Sequence, residues 1–172
     1  MTAALDAGVA VYYEPPLSDR PETIRPMRER LVRAEQVTHA DLELGFTPVV
    51  LRAAQLIQQG AIGRLQTLHL HLQFQWAGFD SPDLCLVNHL APWYVDGLNC
   101  LAGRMPSRVL VMDGFGQPGR RQYHSLAHFD YASLWGTLRV NINSADELYT
   151  RFEATGDDGD IVIDYFKDIL QL

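Results

Sequence analysis

Across residues 65–76 the chain alternates without a break. Leu68, Leu70, Leu72, Phe74 and Trp76 fall on one side, and Thr67, His69, His71, Gln73 and Gln75 on the other. A strand turns successive side chains to opposite faces, so a run of period two fits a long β-strand in a sheet with one face in a core. Two amphipathic stretches can cover that face. Residues 49–59 read as a helix opened by Pro48 and closed by a left-handed Gly60, and residues 92–102 as a helix ended by Gly103 and Pro106. The remaining β-rich runs supply more strands: 109–112, a hairpin of 124–132 and 136–143, then 148–154, and 161–165 after the tight turn Gly156-Asp157-Asp158-Gly159. Residues 77–88 and 114–119 read as loops.

The first 46 residues have a different rhythm. Residues 9–13 form a β-branched and aromatic run that stops at Glu14-Pro15-Pro16, where each proline fixes φ and removes a donor. Ser18 or Asp19 can cap a following helix, with Pro21 in its first turn and Glu22 adding charge there. Ile24, Met27, Leu31 and Ala34 carry helical spacing to about Arg33, and Pro26 lies early enough to be tolerated. Residues 39–46 alternate like a strand. The whole reads as one βαβ unit with a right-handed crossover. Two strands leave faces and an edge that need cover, from the rest of the chain, a second copy or another protein.

With 172 residues and 47% hydrophobic content, the chain can bury a core as one domain or one domain with a fragment. Its 14 basic and 21 acidic residues give a net charge of −7, which argues against nucleic acid or an anionic membrane as partner. No apolar run is long enough to span a bilayer, and the N-terminus lacks the pattern of a signal peptide. Cys85 and Cys100 have no metal-ligand spacing and suit reduced thiols in a cytoplasm.

The run from Ala4 through Val11-Tyr12-Tyr13-Glu14-Pro15-Pro16, the segment Gly60-Ala61-Ile62-Gly63, and Asp96 followed seven residues later by Gly103 together resemble the Gfo/Idh/MocA family of NAD(P)-dependent oxidoreductases. The resemblance covers nearly the whole chain. It implies an α+β fold: an open, mainly antiparallel sheet with helices on one face (residues 47–172), preceded by a partial Rossmann βαβ remnant (residues 1–46). Against the family the chain reads as short at both ends. The family carries Glu-Lys-Pro where this chain has Glu14-Pro15-Pro16, and His-x-x-Asp where it has Trp93 and Asp96. In the family that lysine and histidine handle the proton at a substrate hydroxyl while hydride passes to nicotinamide. Proline has no side-chain donor, and tryptophan exchanges no proton at neutral pH. No Gly-x-Gly-x-x-Gly that would cradle a pyrophosphate occurs in the chain. The expectation is therefore a chain that binds no NAD(P) and performs no ordinary dehydrogenation.

Two uses of the inherited pocket remain open. In one, Trp93 and Pro15 line a ligand pocket or plug a dead one, and the protein binds a small molecule or a partner, such as a full-length relative. In the other, His89, Tyr94, Asp96 and Glu14 do acid/base work without a nucleotide, as in a lyase, isomerase or cyclase. A further alternative is the substrate half of a split oxidoreductase whose nucleotide domain is another polypeptide. His69 and His71 point the same way from one strand, and His124 and His128, with Asp130, share a face of another; together they are weak metal candidates. Gln73, Gln75, Thr137, Arg139, Asn141 and Asn143 extend the same polar face. In the family this face commonly forms the subunit interface, which implies a homo-oligomer through the sheet. Cys100, within an apolar helical run, reads as core.

Overall fold

The computed structural model describes residues 1–18, 20–75, 86–113, 124–142 and 148–172. A short helix α1 (Thr2–Asp6) leads to β1 (Val11–Tyr13), α2 (Pro21–Arg33) and β2 (Thr38–Ala40). β1 and β2 pair in parallel as a two-stranded sheet, with Tyr12 opposite His39. A 3₁₀ turn (Glu43–Phe46) precedes α3 (Pro48–Gln58), β3 (Leu65–Gln73) and α4 (Leu86–Ala102). Then come β4 (Arg108–Asp113), β5 (His124–Asp130), β6 (Trp135–Asn141), β7 (Tyr149–Gly156), β8 (Asp160–Asp164) and β9 (Ile169–Gln171).

β3 sits in the middle of a seven-stranded sheet of order β4-β5-β6-β3-β7-β8-β9. It runs parallel to β6, and the other neighbouring pairs are antiparallel. This is the open, mainly antiparallel α+β sheet. Leu68, Leu70 and Leu72 are buried on the face against α3 and α4, where they join Val50, Leu98, Leu138, Phe152, Ile161 and Ile163. Thr67, His69, His71 and Gln73 face the other way. Burying this apolar set is the main stabilising term of the fold. α3 ends as expected before Gly60, whose φ is +76°. The following Ile62 packs so closely under β7 that a Cβ on Gly156 would lie 2.0 Å from the Ile62 carbonyl oxygen.

Several sequence expectations need correction. Residues 39–46 are not one strand: β2 stops at Ala40, and Leu44 and Gly45 bury in the 3₁₀ turn against α4. Alternation over so short a stretch does not separate an edge strand from a turn that puts one leucine into a core. α4 begins at Leu86 rather than at Pro92, so residues 86–88 are helix and not loop. Pro92 removes one helical donor, but Leu90 and Ala91 bury in the core on its N-terminal side and hold that turn in place. The position before α2 is Arg20, with the Ser18 hydroxyl accepting from the Arg20 N–H at 3.1 Å. The alternative cap Asp19, Trp76, Cys85, Asn143 and the loops at 77–85 and 114–119 lie outside the described residues. α1 and the edge strand β9 carry no clear sequence signal. Among the described residues, no helix is long and apolar enough to cross a membrane.

Candidate functional site

Where β1 ends, the chain turns through Glu14-Pro15-Pro16, with a cis peptide between the prolines. Pro15 is buried, and with Tyr13 and Pro16 it forms one wall of a cleft of about 610 Å³. α4 forms the opposite wall. Pro92, Val95, Asp96 and Asn99 lie at helical spacing and so share the stripe that faces the cleft. Ile24 of α2, Leu42 after β2 and Met105 after α4 complete the apolar lining. A volume of this size suits a small organic molecule.

Asp96 is the charged side chain of the lining among the described residues. It is half-buried, and burial pushes its carboxyl above the usual carboxylate range. The carboxylate lies over the buried Gly45, where a Cβ would stand 2.9 Å from Oδ2. Among the described residues no hydrogen-bond donor reaches this carboxylate. Cys100, one turn on, directs its thiol to the Gly45 carbonyl at 3.8 Å; burial and then the Asp96 charge push that thiol up. It is a half-buried packing cysteine with a disfavoured thiolate. Asn99 is already engaged: its Oδ1 accepts from the Tyr131 hydroxyl at 2.9 Å, and its Nδ2 contacts the Met105 sulfur at 3.2 Å.

The fold separates the other candidates. Tyr94 turns from the cleft towards Thr150 beneath the sheet, and burial raises its phenol to about 12. Glu14 turns outward to Asp41; a hydrogen bond between the two carboxyls is the main cause that raises the Glu14 pKa. The Tyr12 hydroxyl also bonds Asp41 and is pushed up to about 12, while its ring stacks on His39 at 5.6 Å. His89 and Trp93 lie on α4 and are half-buried, but neither lines the cleft. Of the proposed pocket and catalytic residues, Pro15 and Asp96 are the two brought together. Sequence reasoning missed Ile24, Leu42, Asn99 and Met105. The recurrence of 92, 95, 96 and 99 on one helix could have found Asn99.

The histidines of the sheet are dispersed. His69 Nδ1 meets the Thr137 hydroxyl at 2.6 Å, and His71 packs edge-on against Tyr149 at 5.3 Å. Burial, then the Arg139 charge, lowers the His71 pKa. His128 lies beside Leu110 and Trp135, and Asp130 is bound by Arg108 at 2.8 Å, which holds its carboxyl below the usual range. Among the described residues no three His, Cys, Asp or Glu side chains converge as metal ligands.

The described residues of the cleft do not suit a dinucleotide. Among them the lining has no Lys, Arg or His, its one charge is negative, and a proline stands at the turn. A pyrophosphate there would face Asp96 with no cation to offset it.

No protein-family model and no curated protein sequence matches the chain. Solved structures do match its fold. A probable dehydrogenase from Thermotoga maritima superposes with a TM-score of 0.80 at 16% identity, over 94% of this chain and 52% of that one. Levoglucosan dehydrogenase, in complex with NADH and levoglucosan, superposes at 0.84 with 23% identity, over 98% and 52%. The apo scyllo-inositol dehydrogenase from Lactobacillus casei superposes at 0.78 with 19% identity, over 94% and 50%. The chain thus spans about half the length of these proteins, and at such identities the likeness concerns the fold.

Proposed function

We propose that this chain, whose fold is that of the C-terminal part of Gfo/Idh/MocA-type oxidoreductases, is a degenerate relative that binds a small molecule in the Asp96 cleft and takes no part in nicotinamide redox chemistry. One observation carries the reading: a formed cleft of about 610 Å³ joins Pro15 to Asp96 and, among the described residues, holds no lysine or histidine that could take the proton from a substrate hydroxyl as hydride leaves its carbon. The substitutions at Pro15 and Trp93 agree with it. Asp96 supplies an acceptor in an apolar setting, which is the kind of polar anchor a small ligand needs. The polar outer face of the sheet suits a homo-oligomer, or a complex with a partner protein.

Native mass spectrometry of the purified protein tests this. A protomer or dimer that gains the mass of a small organic molecule supports the reading. A gain matching a dinucleotide overturns it.

A cofactor-independent lyase, isomerase or cyclase is the second reading, favoured by the early start of α4. His89, Trp93 and Asp96 then lie four and three residues apart on one helix, so His89 and Asp96 share a side of it. Asp96, with its raised pKa, is suited to take and return a proton. Turnover of a native ligand that Asp96→Asn and His89→Ala both abolish, with the fold intact, would favour this enzyme over the binding module.

A further inference from the structure

The identity of the groups in the cleft narrows what can fill it, given that it is a small-molecule site as proposed above. Asp96 is half-buried there, and no donor among the described residues meets it. A carboxylate in that position gains most from a ligand that brings both a positive charge and hydrogen atoms. Among the described residues the lining contains no Lys, Arg or His, so an anionic ligand would place its charge against Asp96 with none of them to compensate it.

A polyhydroxylated ligand is poorly served too. The Asn99 amide already accepts from Tyr131 and gives one N–H to Met105, and the Ser18 hydroxyl is engaged by Thr23 and the Arg20 N–H. Apart from Asp96, the Tyr13 phenol and the second Asn99 N–H are the main side-chain groups left among the described residues for a sugar-like ring of hydroxyls, too few for several of them. Each hydroxyl buried without a partner would cost binding free energy. Pro15, Pro16, Leu17, Ile24 and Leu42 instead offer an apolar wall to a compact hydrocarbon body. The net charge of −7 raises the concentration of cations near the protein.

We propose that the cleft binds a small primary amine, an apolar body whose ammonium group pairs with Asp96. Three probes of one shape and different charge test this by isothermal titration calorimetry: cyclohexylmethylamine, cyclohexylmethanol and cyclohexanecarboxylate. The amine is expected to bind about ten-fold or more tightly than the alcohol, as befits a charge-assisted bond, and the carboxylate not measurably. Asp96→Asn should bring amine and alcohol to similar affinity. Methyl NMR shifts at Ile24, Leu42 and Val95 should place the amine in the cleft. Should the variant not fold, the wild-type ratio and the shifts decide alone. Equal binding of amine and alcohol, with those shifts present, would leave the cleft a small-molecule site and overturn the cationic class. If none of the three probes shifts those methyls, both the amine and the small-molecule reading of the cleft fail.

Discussion

At the residue scale the cleft depends on one carboxylate and on the backbone beside it. Burial lifts the folded-state pKa of Asp96 above its unfolded value, so ionising it works against folding. That penalty is full above the folded pKa and absent below the unfolded one. Asp96→Asn is therefore expected to melt higher than wild type at neutral pH, with the advantage fading as pH falls through the carboxylate range. Paired melting curves from neutral to acid pH check it; an advantage that grew on acidification would show that the charge is stabilised in the fold. Gly45→Ala has a different signature. Its Cβ would stand 2.9 Å from Asp96 Oδ2, the mobile end of a side chain, so the carboxylate yields and the backbone stays. The expected stability loss is under about 1 kcal/mol by urea titration. Binding of cyclohexylmethylamine should nevertheless weaken several-fold, because the anchor has moved. The place of Asp96 was legible in the sequence, since its spacing to Gly103 set it on a helix. The outward turn of Glu14 was not, because it depends on Asp41, 27 positions along the chain, at the end of the neighbouring strand.

At the element scale, α4 ties the cleft to the core. Its Leu98 and Leu101 bury in the core, while Pro92, Val95, Asp96 and Asn99 face the cleft. Pro92 interrupts it and leaves the Asn88 carbonyl without its helical donor. Pro92→Ala restores that bond and raises helix propensity, for an expected gain of about 1–3 kcal/mol in urea unfolding and a stronger helical circular-dichroism signal. A loss instead would mean that packing of the proline ring outweighs the missing bond. Long elements were legible because many residues repeat one period. β3 shows six polar–apolar alternations in a row, and α3 carries its own start and stop residues. The segment after β2 was misread because eight residues give too few repeats, and the burial of Leu44 against α4 settles its shape. The early start of α4 was hidden by Pro92, a residue that sequence rules place near a helix start and that burial of Leu90 and Ala91 allows in the interior.

At the scale of the whole molecule, the outer face of the sheet has no covering layer among the described residues. One row across it runs Leu110, His128, Thr137, His69, Glu153 and Val162, so four polar side chains stand side by side between apolar ends. Such a row can meet a rotated copy of itself, as a two-fold interface requires. At the β4 end the face turns apolar: Leu110 is 62%, Met112 56% and Trp135 56% exposed. Large apolar side chains grouped on a polar face mark a site that association would cover. Trp135 makes the sharper test because it points outward from β6 and leaves the core to Gly136 and Leu138 on either side of Thr137. Trp135→Ala should leave the melting temperature of a dilute sample close to wild type, as expected for a surface change. If copies pair through this face, the variant should dissociate at about ten-fold higher concentration, read by light scattering across a dilution series. An unchanged mass profile would remove the sheet face as the interface and leave the paired β1 and β2 strands, with exposed Tyr12 and Val37, as the next surface for a second copy to cover.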